Sequence, residues 1–304
     1  MAGGPLDVID LKVVEAVARH GSMNKAAVEL NTVQSNISSR IRALEAHLGV
    51  ALFKRSARGV QLTLAGKRLL PYAARLSRLL SDASAAARDD GTPSGQMEIG
   101  TLETTLALRL PLLLARFAKA YPQVRPVLRT GTTNSLIRDV IDGKLEGAFA
   151  AGPVTHPQLH TETVFHEELV LVTSPAVHSV AAVSDILQLK TVVFRAGCSY
   201  RQRLDSFLAS LGLLAQEPLE FGSIEAIITC VSAGVGVTLL PRGVVASARQ
   251  SGLINAHDIP PAFSQVETVF ARRTDSHLSS ALAAFLESVH RESGIRSMAS
   301  REFA

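Results

Sequence analysis

Apolar positions recur at helical spacing three times within the first fifty residues. Asp7 to His20 carries Val8, Leu11, Val14 and Val17–Ala18 on one face, which predicts a first helix. Gly21 ends it, Ser22 is a suitable N-cap, and a second helix is expected from there to about Leu30. A third turns Ile37, Ile41 and Leu44 inward, and Asn31 with Gln34 three residues on has the form of a capping box at its start. The opposite face of this helix shows Gln34, Ser35, Asn36, Ser38, Ser39 and Arg42. Further on, Thr63 is placed to cap a long helix reaching about Arg88. Leu62, Leu69, Leu76 and Ala83 recur every seven residues along it, with Ala73, Leu80 and Ala87 as a second row. Pro71 falls inside this helix and is expected to kink it or disturb one turn.

Asp89 to Gln96 is a hinge by composition, and the pattern changes after it. Short apolar runs at 97–100, 124–128, 147–151, 169–173, 191–194, 236–240 and 268–271 read as strands. Helical stretches at 106–120, 135–142, 201–211, 224–233 and 278–290 alternate with them. That alternation predicts an α/β body with mostly parallel strands.

Composition narrows the class. Hydrophobic residues make up 47% of the 304, enough for sizeable cores in two or more domains. The longest uncharged apolar stretch, Ala226 to Pro241, is glycine-interrupted and too short to span a bilayer. No N-terminal stretch joins a basic region to an apolar core and a cleavage site, and the 2 cysteines imply no disulfide framework, so a cytoplasmic protein is expected. Charge is uneven: residues 1–80 hold 12 of the 31 Lys and Arg but 5 of the 27 Asp and Glu. A basic front on a slightly acidic body is the footprint of a nucleic-acid-binding head.

The third helix has matching chemistry. Gln pairs bidentately with adenine, Arg with guanine, and Ser with several base edges or phosphates. Lys54, Arg55 and Arg58 surround a turn at Gly59, where a basic hairpin would lie over the phosphate backbone and gain by counterion release.

Here the residues carry a family resemblance. Ala26-Ala27, Leu30, Gln34, Ser38, Ile41, Leu44-Glu45, Leu48-Gly49, Leu52-Phe53, Arg55, Leu62-Thr63 and Ala65-Gly66 stand at the spacing of the N-terminal signature of LysR-type transcriptional regulators. Two positions depart from it: Val33 stands where the family usually has Ser, and Ser35 where it has Pro. The resemblance extends over nearly the whole chain. It implies an all-α winged helix-turn-helix domain at 1–62, a dimerisation helix at 63–90, and at 91–304 an α/β effector domain of two lobes, like periplasmic binding proteins. Lobe I would take about 95–165 and 268–304, and lobe II about 166–267. It further implies promoter DNA and RNA polymerase as partners, a homodimer or homotetramer, and DNA bending altered by a small-molecule effector.

In open α/β sheets, ligands sit beyond the carboxyl ends of strands. Three such ends are rich in hydroxyls or helix starts: 101–105, 130–134 and 195–201. From them Thr104, Thr105, Thr132, Thr133, Cys198, Ser199 and Arg201 are the candidate effector contacts, suited to a carboxylate or another small anion. Cys198, at a helix start near Arg195 and Arg201, has a setting that lowers a thiol pKa. The peroxide-sensing branch of the family has a redox cysteine in a similar place. Its partner cysteine, nine residues later, is here Phe207, so cleft lining or packing is the expected role.

No catalytic group, metal site or cofactor is expected. His156, His160 and His166 surround Pro157 in what reads as a solvated loop, and Gly234-Val235-Gly236 lacks the third glycine and the acid of a dinucleotide loop. The competing reading is a small-molecule enzyme or solute-binding protein built on the two-lobed body.

Overall fold

The computed structural model describes residues 7–56, 59–186 and 189–294, and the chain divides into two compact units that meet at Arg88 and Asp89.

The first unit contains α1 (Val8–His20), α2 (Met23–Glu29), α3 (Gln34–Leu48), the hairpin β1 (Phe53–Ser56) and β2 (Gly59–Leu62), and α4 (Leu64–Arg88). The inward rows of the first three helices meet in one core of Val14, Val17, Ala26, Ala27, Ile37, Ile41 and Leu44, closed below by Leu52. Ser22 caps α2 as its residue type predicts, accepting the Lys25 N–H. The capping box expected at Asn31 does not form. Asn31 is left-handed, with φ 49°, and closes α2 instead. Its N–H donates to the Val28 carbonyl and the Thr32 N–H to the Ala27 carbonyl, the paired bonds of a Schellman motif. A residue committed to ending α2 in that conformation cannot open α3, whose N-cap is Val33 with no side-chain bond.

Thr63 caps α4 and accepts the Gly66 N–H at 3.1 Å. Gly66 is required there: a Cβ on it would stand 2.2 Å from the Leu52 carbonyl oxygen, so only glycine lets α4 lie this close to the loop before β1. The helix runs unbroken through Pro71. Its heptad seam divides in two. Leu69 packs against the head core and Ala73 is buried, whereas Leu80, Ala83 and Ala87 are exposed.

The second unit opens with β3 (Gly95–Thr101), α5 (Glu103–Leu108), α6 (Leu110–Ala120), β4 (Val124–Thr130), α7 (Thr133–Ile141) and β5 (Gly147–Ala151). Strand β6 (Leu159–Thr173) leads to a 3-10 turn at Ala181–Asp185, then β7 (Val192–Phe194), α8 (Ser199–Ser210), β8 (Leu219–Phe221), α9 (Ile224–Ser232) and β9 (Thr238–Pro241). The chain ends with α10 (Arg242–Gln250), β10 (Asn255–His257), α11 (Pro261–Ser264), β11 (Gln265–Arg273) and α12 (Ser280–Ser293).

Two lobes share the long strands β6 and β11. In lobe I, β3 runs parallel to β4 and β5, while β11 pairs antiparallel with both β5 and the first two thirds of β6. From Leu169 onward, β6 pairs antiparallel with β9, and its end with β10, in lobe II. The strands are therefore mixed rather than mostly parallel, because the chain enters and leaves lobe II along two antiparallel crossings. β6 also starts earlier than its apolar run: His160 and His166 belong to this strand, not to a loop.

Alternation along β6 separates two cores. Leu169 and Leu171 face one that also takes α7 and α8, and Val170 and Val172 face a second built on Ile227, Val231 and Val245. Lobe I has its own aromatic core, in which Phe149 packs edge-on against Phe270 and Phe117 against Phe285.

Candidate nucleic-acid interface and effector cleft

On the first unit, α3 carries its polar row outward. Gln34, Ser35, Asn36, Ser39 and Arg42 are exposed and Ser38 is half-buried. Neighbouring turns organise this row. Gln34 Nε2 donates to Ser38 Oγ at 2.8 Å, and Arg42 Nε donates to the Ser38 carbonyl at 3.2 Å. Asn36 Nδ2 donates to Thr32 Oγ1 at 3.1 Å. Arg40, by contrast, turns back to α1 and pairs with Asp10 at 2.8 Å. That pair fixes the roll of α3 on its neighbour.

The hairpin stands beside this helix. Glu45, on α3, accepts the backbone N–H groups of Leu52 and Phe53 at 2.7 and 3.0 Å through Oε1, which ties α3 to the start of the hairpin. Lys54 is exposed on β1, opposite Gln61. Arg55 comes next on β1, opposite Val60; Arg58, and the Arg55 side chain, lie outside the described residues.

In the second unit a cleft of about 440 Å³ opens between the lobes. Lobe I contributes Leu102–Thr104, Thr130–Thr132 and Ser135; lobe II contributes Phe194–Ala196, Cys198–Tyr200, Phe221 and Gly222. The three strand ends picked out by sequence do converge here, and Thr104, Thr132, Cys198 and Ser199 line the cavity. Thr105, Thr133 and Arg201 do not. Thr105 comes after Thr104 on α5 and is turned a helical step away into a buried position. Thr133 Oγ1 accepts the Ala151 N–H at 3.2 Å on the far side of α7. Arg201 is taken up by Glu220 at 2.6 Å.

At the cleft floor, Thr104 Oγ1 and Tyr200 Oη stand 3.4 Å apart, joining the lobes. Burial pushes the Tyr200 phenol well above its ordinary value, so it stays protonated. Thr132 is the N-cap of α7 and exchanges bonds with Ser135. Ser199 Oγ is buried without a hydrogen-bond partner. Cys198 does not have the activated thiol its position suggested. Only 9% of it is exposed, burial is the largest influence on it, and that pushes its pKa up. Tyr200, Glu103, Arg195 and Phe221 were not among the effector contacts expected from the sequence. The first three lie inside the segments read as strand ends; Phe221 ends β8, a three-residue strand too short to carry a periodicity.

Among the described residues no group of three or more His, Cys, Asp or Glu is placed to hold a metal, and no helix is long and apolar enough to cross a membrane.

Comparison with known proteins gives the same division of labour. The family pattern described as "Bacterial regulatory helix-turn-helix protein, lysR family" matches residues 9–67, and "LysR substrate binding domain" matches residues 90–294. The HTH-type transcriptional regulator GltR of Bacillus subtilis (strain 168) is 44% identical, covering 91% of this chain and 93% of its own. YofA of the same organism is 41% identical, over 92% of this chain and 97% of its own. Among solved structures, full-length CbnR complexed with its target DNA is similar at 25% identity and a TM-score of 0.63, over 94% of this chain and all of that one. ArgP from Mycobacterium tuberculosis shares the fold at 20% identity and a TM-score of 0.67, over 95% of this chain and 97% of that one. With a DNA-reading head and a substrate-binding body each matched over its length, the chain belongs to the LysR family of bacterial transcriptional regulators.

Proposed function

We propose that this transcriptional regulator couples promoter binding, and the bend it imposes on promoter DNA, to a small molecule held between the lobes of its second unit. The observation that carries the reading is the interlobe cleft, which brings Thr104, Thr132 and Ser199 from separate strand ends around one cavity of about 440 Å³. Hydroxyls at helix starts favour a carboxylate or another small anion. A ligand touching both lobes binds one lobe arrangement better than the other and shifts the population toward it.

The head would read DNA with the α3 row of Gln34, Ser35, Asn36, Ser38, Ser39 and Arg42, and grip phosphates with Lys54, Arg55 and Arg58. The exposed apolar residues Tyr72, Leu79 and Leu80 on α4 support assembly through that helix, first as a homodimer and then as a dimer of dimers. Two heads so joined would occupy a dyad site and present the complex to RNA polymerase in the cytoplasm.

The test is promoter binding by the full chain, measured by gel shift and by footprinting with and without candidate metabolites. A salt-sensitive preference for one promoter, with a footprint that changes when ligand is added, is the expected result. Equal affinity for that promoter and for bulk DNA would remove the DNA-reading assignment. A footprint indifferent to every metabolite, and to Thr104→Val, would remove the coupling.

A further inference from the structure

The cleft holds two opposite charges that have no partner among the described residues. Glu103 is the first residue of α5, beside Thr104 on the lobe I wall. Arg195 comes directly after β7 on the lobe II wall. Neighbouring charges on this unit are paired: Glu98 with Arg129, Glu167 with Arg109, Glu220 with Arg201 and Glu168 with Arg242. Glu103 and Arg195 have neither an ion pair nor a hydrogen bond among the described residues, and they do not pair with each other.

Each wall of the cavity has a second feature. Glu103 is partly buried, and that burial raises its carboxyl pKa; Glu225, in the first turn of α9 on lobe II, raises it further. Lobe II thus brings a second negative charge near Glu103, although of the two carboxylates only Glu103 lines the cleft, and a cation there would pair with Glu103. On the same lobe II wall as Arg195, Ser199 lines the cleft, and its Oγ is buried with no hydrogen-bond partner among the described residues. Leu102, Phe194 and Phe221 add apolar surface beside the hydroxyls of Thr104 and Thr132.

We infer that the cleft takes a small zwitterion of the amino-acid class, its ammonium at Glu103 and its carboxylate at Arg195 and Ser199. This rests on the cleft being the effector site and sharpens the ligand from any small anion to one that also carries a positive charge. An acid without the ammonium leaves Glu103 desolvated and unpaired beside Glu225, which costs more than the missing bond alone. A ligand with both charges bridges a lobe I carboxylate to a lobe II guanidinium, so its binding is linked to how the lobes stand.

The experiment uses the purified full chain, with thermal shift and calorimetry against the common L-amino acids. Each is compared with the carboxylic acid lacking its amino group and the amine lacking its carboxyl group. At least one amino acid should raise Tm and bind about tenfold or more tightly than either counterpart, the scale of one charge-assisted hydrogen bond. Glu103→Gln should weaken that amino acid about tenfold while changing its carboxylic acid little, and Arg195→Gln should weaken the amino acid likewise while changing its amine little. Circular dichroism and promoter binding without ligand check that both variants fold. Should the carboxylic acid bind as tightly as the amino acid, with Glu103→Gln indifferent, the zwitterion inference falls while the cleft stands. The inference also falls if no amino acid binds. If an amino acid binds but Thr104→Val, Glu103→Gln and Arg195→Gln all leave its affinity unchanged, the cleft itself is not the effector site.

Discussion

Thr104 Oγ1 and Tyr200 Oη meet at 3.4 Å across the floor of the interlobe cleft, one from α5 and the other from α8. The contact is long for a hydrogen bond between hydroxyls, so its net worth is small, under about 1 kcal/mol. Its value lies in its position: both side chains are buried and both line the proposed effector cleft. Tyr200→Phe should therefore change thermal stability little. It should shift the effector concentration giving half-maximal change in promoter footprint several-fold, with ligand-free DNA affinity unchanged. Titrating the footprint for wild type, Tyr200→Phe, Thr104→Val and the double variant gives the coupling between the two hydroxyls. Strict additivity would show that they do not act as a pair.

Glu45 makes a different kind of joint. Its single Oε1 accepts two backbone N–H groups, and one of them belongs to Leu52, which is 1% exposed. Glu45→Ala leaves both donors without a partner and should cost about 2 kcal/mol or more. The wing then loosens from α3, so affinity should fall on promoter and random DNA alike rather than for one sequence. Glu45→Gln keeps an acceptor in place and should recover most of the loss. Gel shifts on both kinds of DNA, with chemical denaturation of each variant, measure this.

The helices of the head were legible because their apolar rows are long and their punctuation is local. Gly21 and Ser22 do what their residue types predict. Asn31 departs from expectation because an Asn between two helices has two competing uses: it can cap the later helix, or close the earlier one in the left-handed region. The choice rests on how closely α2 and α3 pack, which local sequence does not encode. In the body, long apolar strands such as β5 were plain, while β8 and β10 have three residues each and no period to detect. The run read as one helix at 106–120 is two, broken at Arg109, whose guanidinium pairs with Glu167 at 2.7 Å. Thr104, Thr132, Cys198 and Ser199 could be picked out by the strand-end rule. Which neighbours join them depended on side-chain direction within each segment, and so the facing of Glu103 and Arg195 across one cleft was visible only in three dimensions.

Cys198 should behave as an inert thiol. Burial raises its pKa, so the thiolate fraction at neutral pH is smaller than for a free cysteine, and access is restricted as well. Alkylation by iodoacetamide at pH 7, with peptide mass mapping as the readout, should be about tenfold or more slower than for a free thiol. It should keep rising with pH beyond about 8.5, the ordinary cysteine value. Fast oxidation of Cys198 by dilute peroxide in the folded protein would contradict this.

Asp89 gives a pH dependence with a definite sign. It accepts the Ser280 N–H at 2.7 Å and the His277 ring N–H at 3.0 Å, and so ties the first residue of the second unit to the start of α12. These bonds hold its carboxyl well below the usual carboxylate range. A depressed acid contributes stability in full above its unfolded pKa of about 3.9 and loses it as pH falls toward the folded value. Asp89→Asn should thus lower Tm at pH 7, and its deficit relative to wild type should shrink below about pH 4. A deficit that does not change with pH would mean that charge plays no part.

Val33 sets stability against recognition. It is the N-cap of α3, makes no side-chain bond there, and is 59% exposed at the end of the helix expected to enter the major groove. An apolar N-cap forgoes about 1 kcal/mol that Ser would supply. A compensating use is contact with DNA, where the thymine C5-methyl is the base-edge group an exposed isopropyl group fits. Val33→Ser should raise the head's stability by about 0.5–1 kcal/mol and at the same time relax the preference for thymine at one position of each half-site. Selection from random duplexes with wild type and variant identifies that position. Replacing its thymine by deoxyuracil, which removes only the methyl, should weaken wild type several-fold and leave Val33→Ser unaffected. If both proteins lose equally on the deoxyuracil duplex, Val33 does not read the methyl group, and its exposure has no counterpart on the DNA.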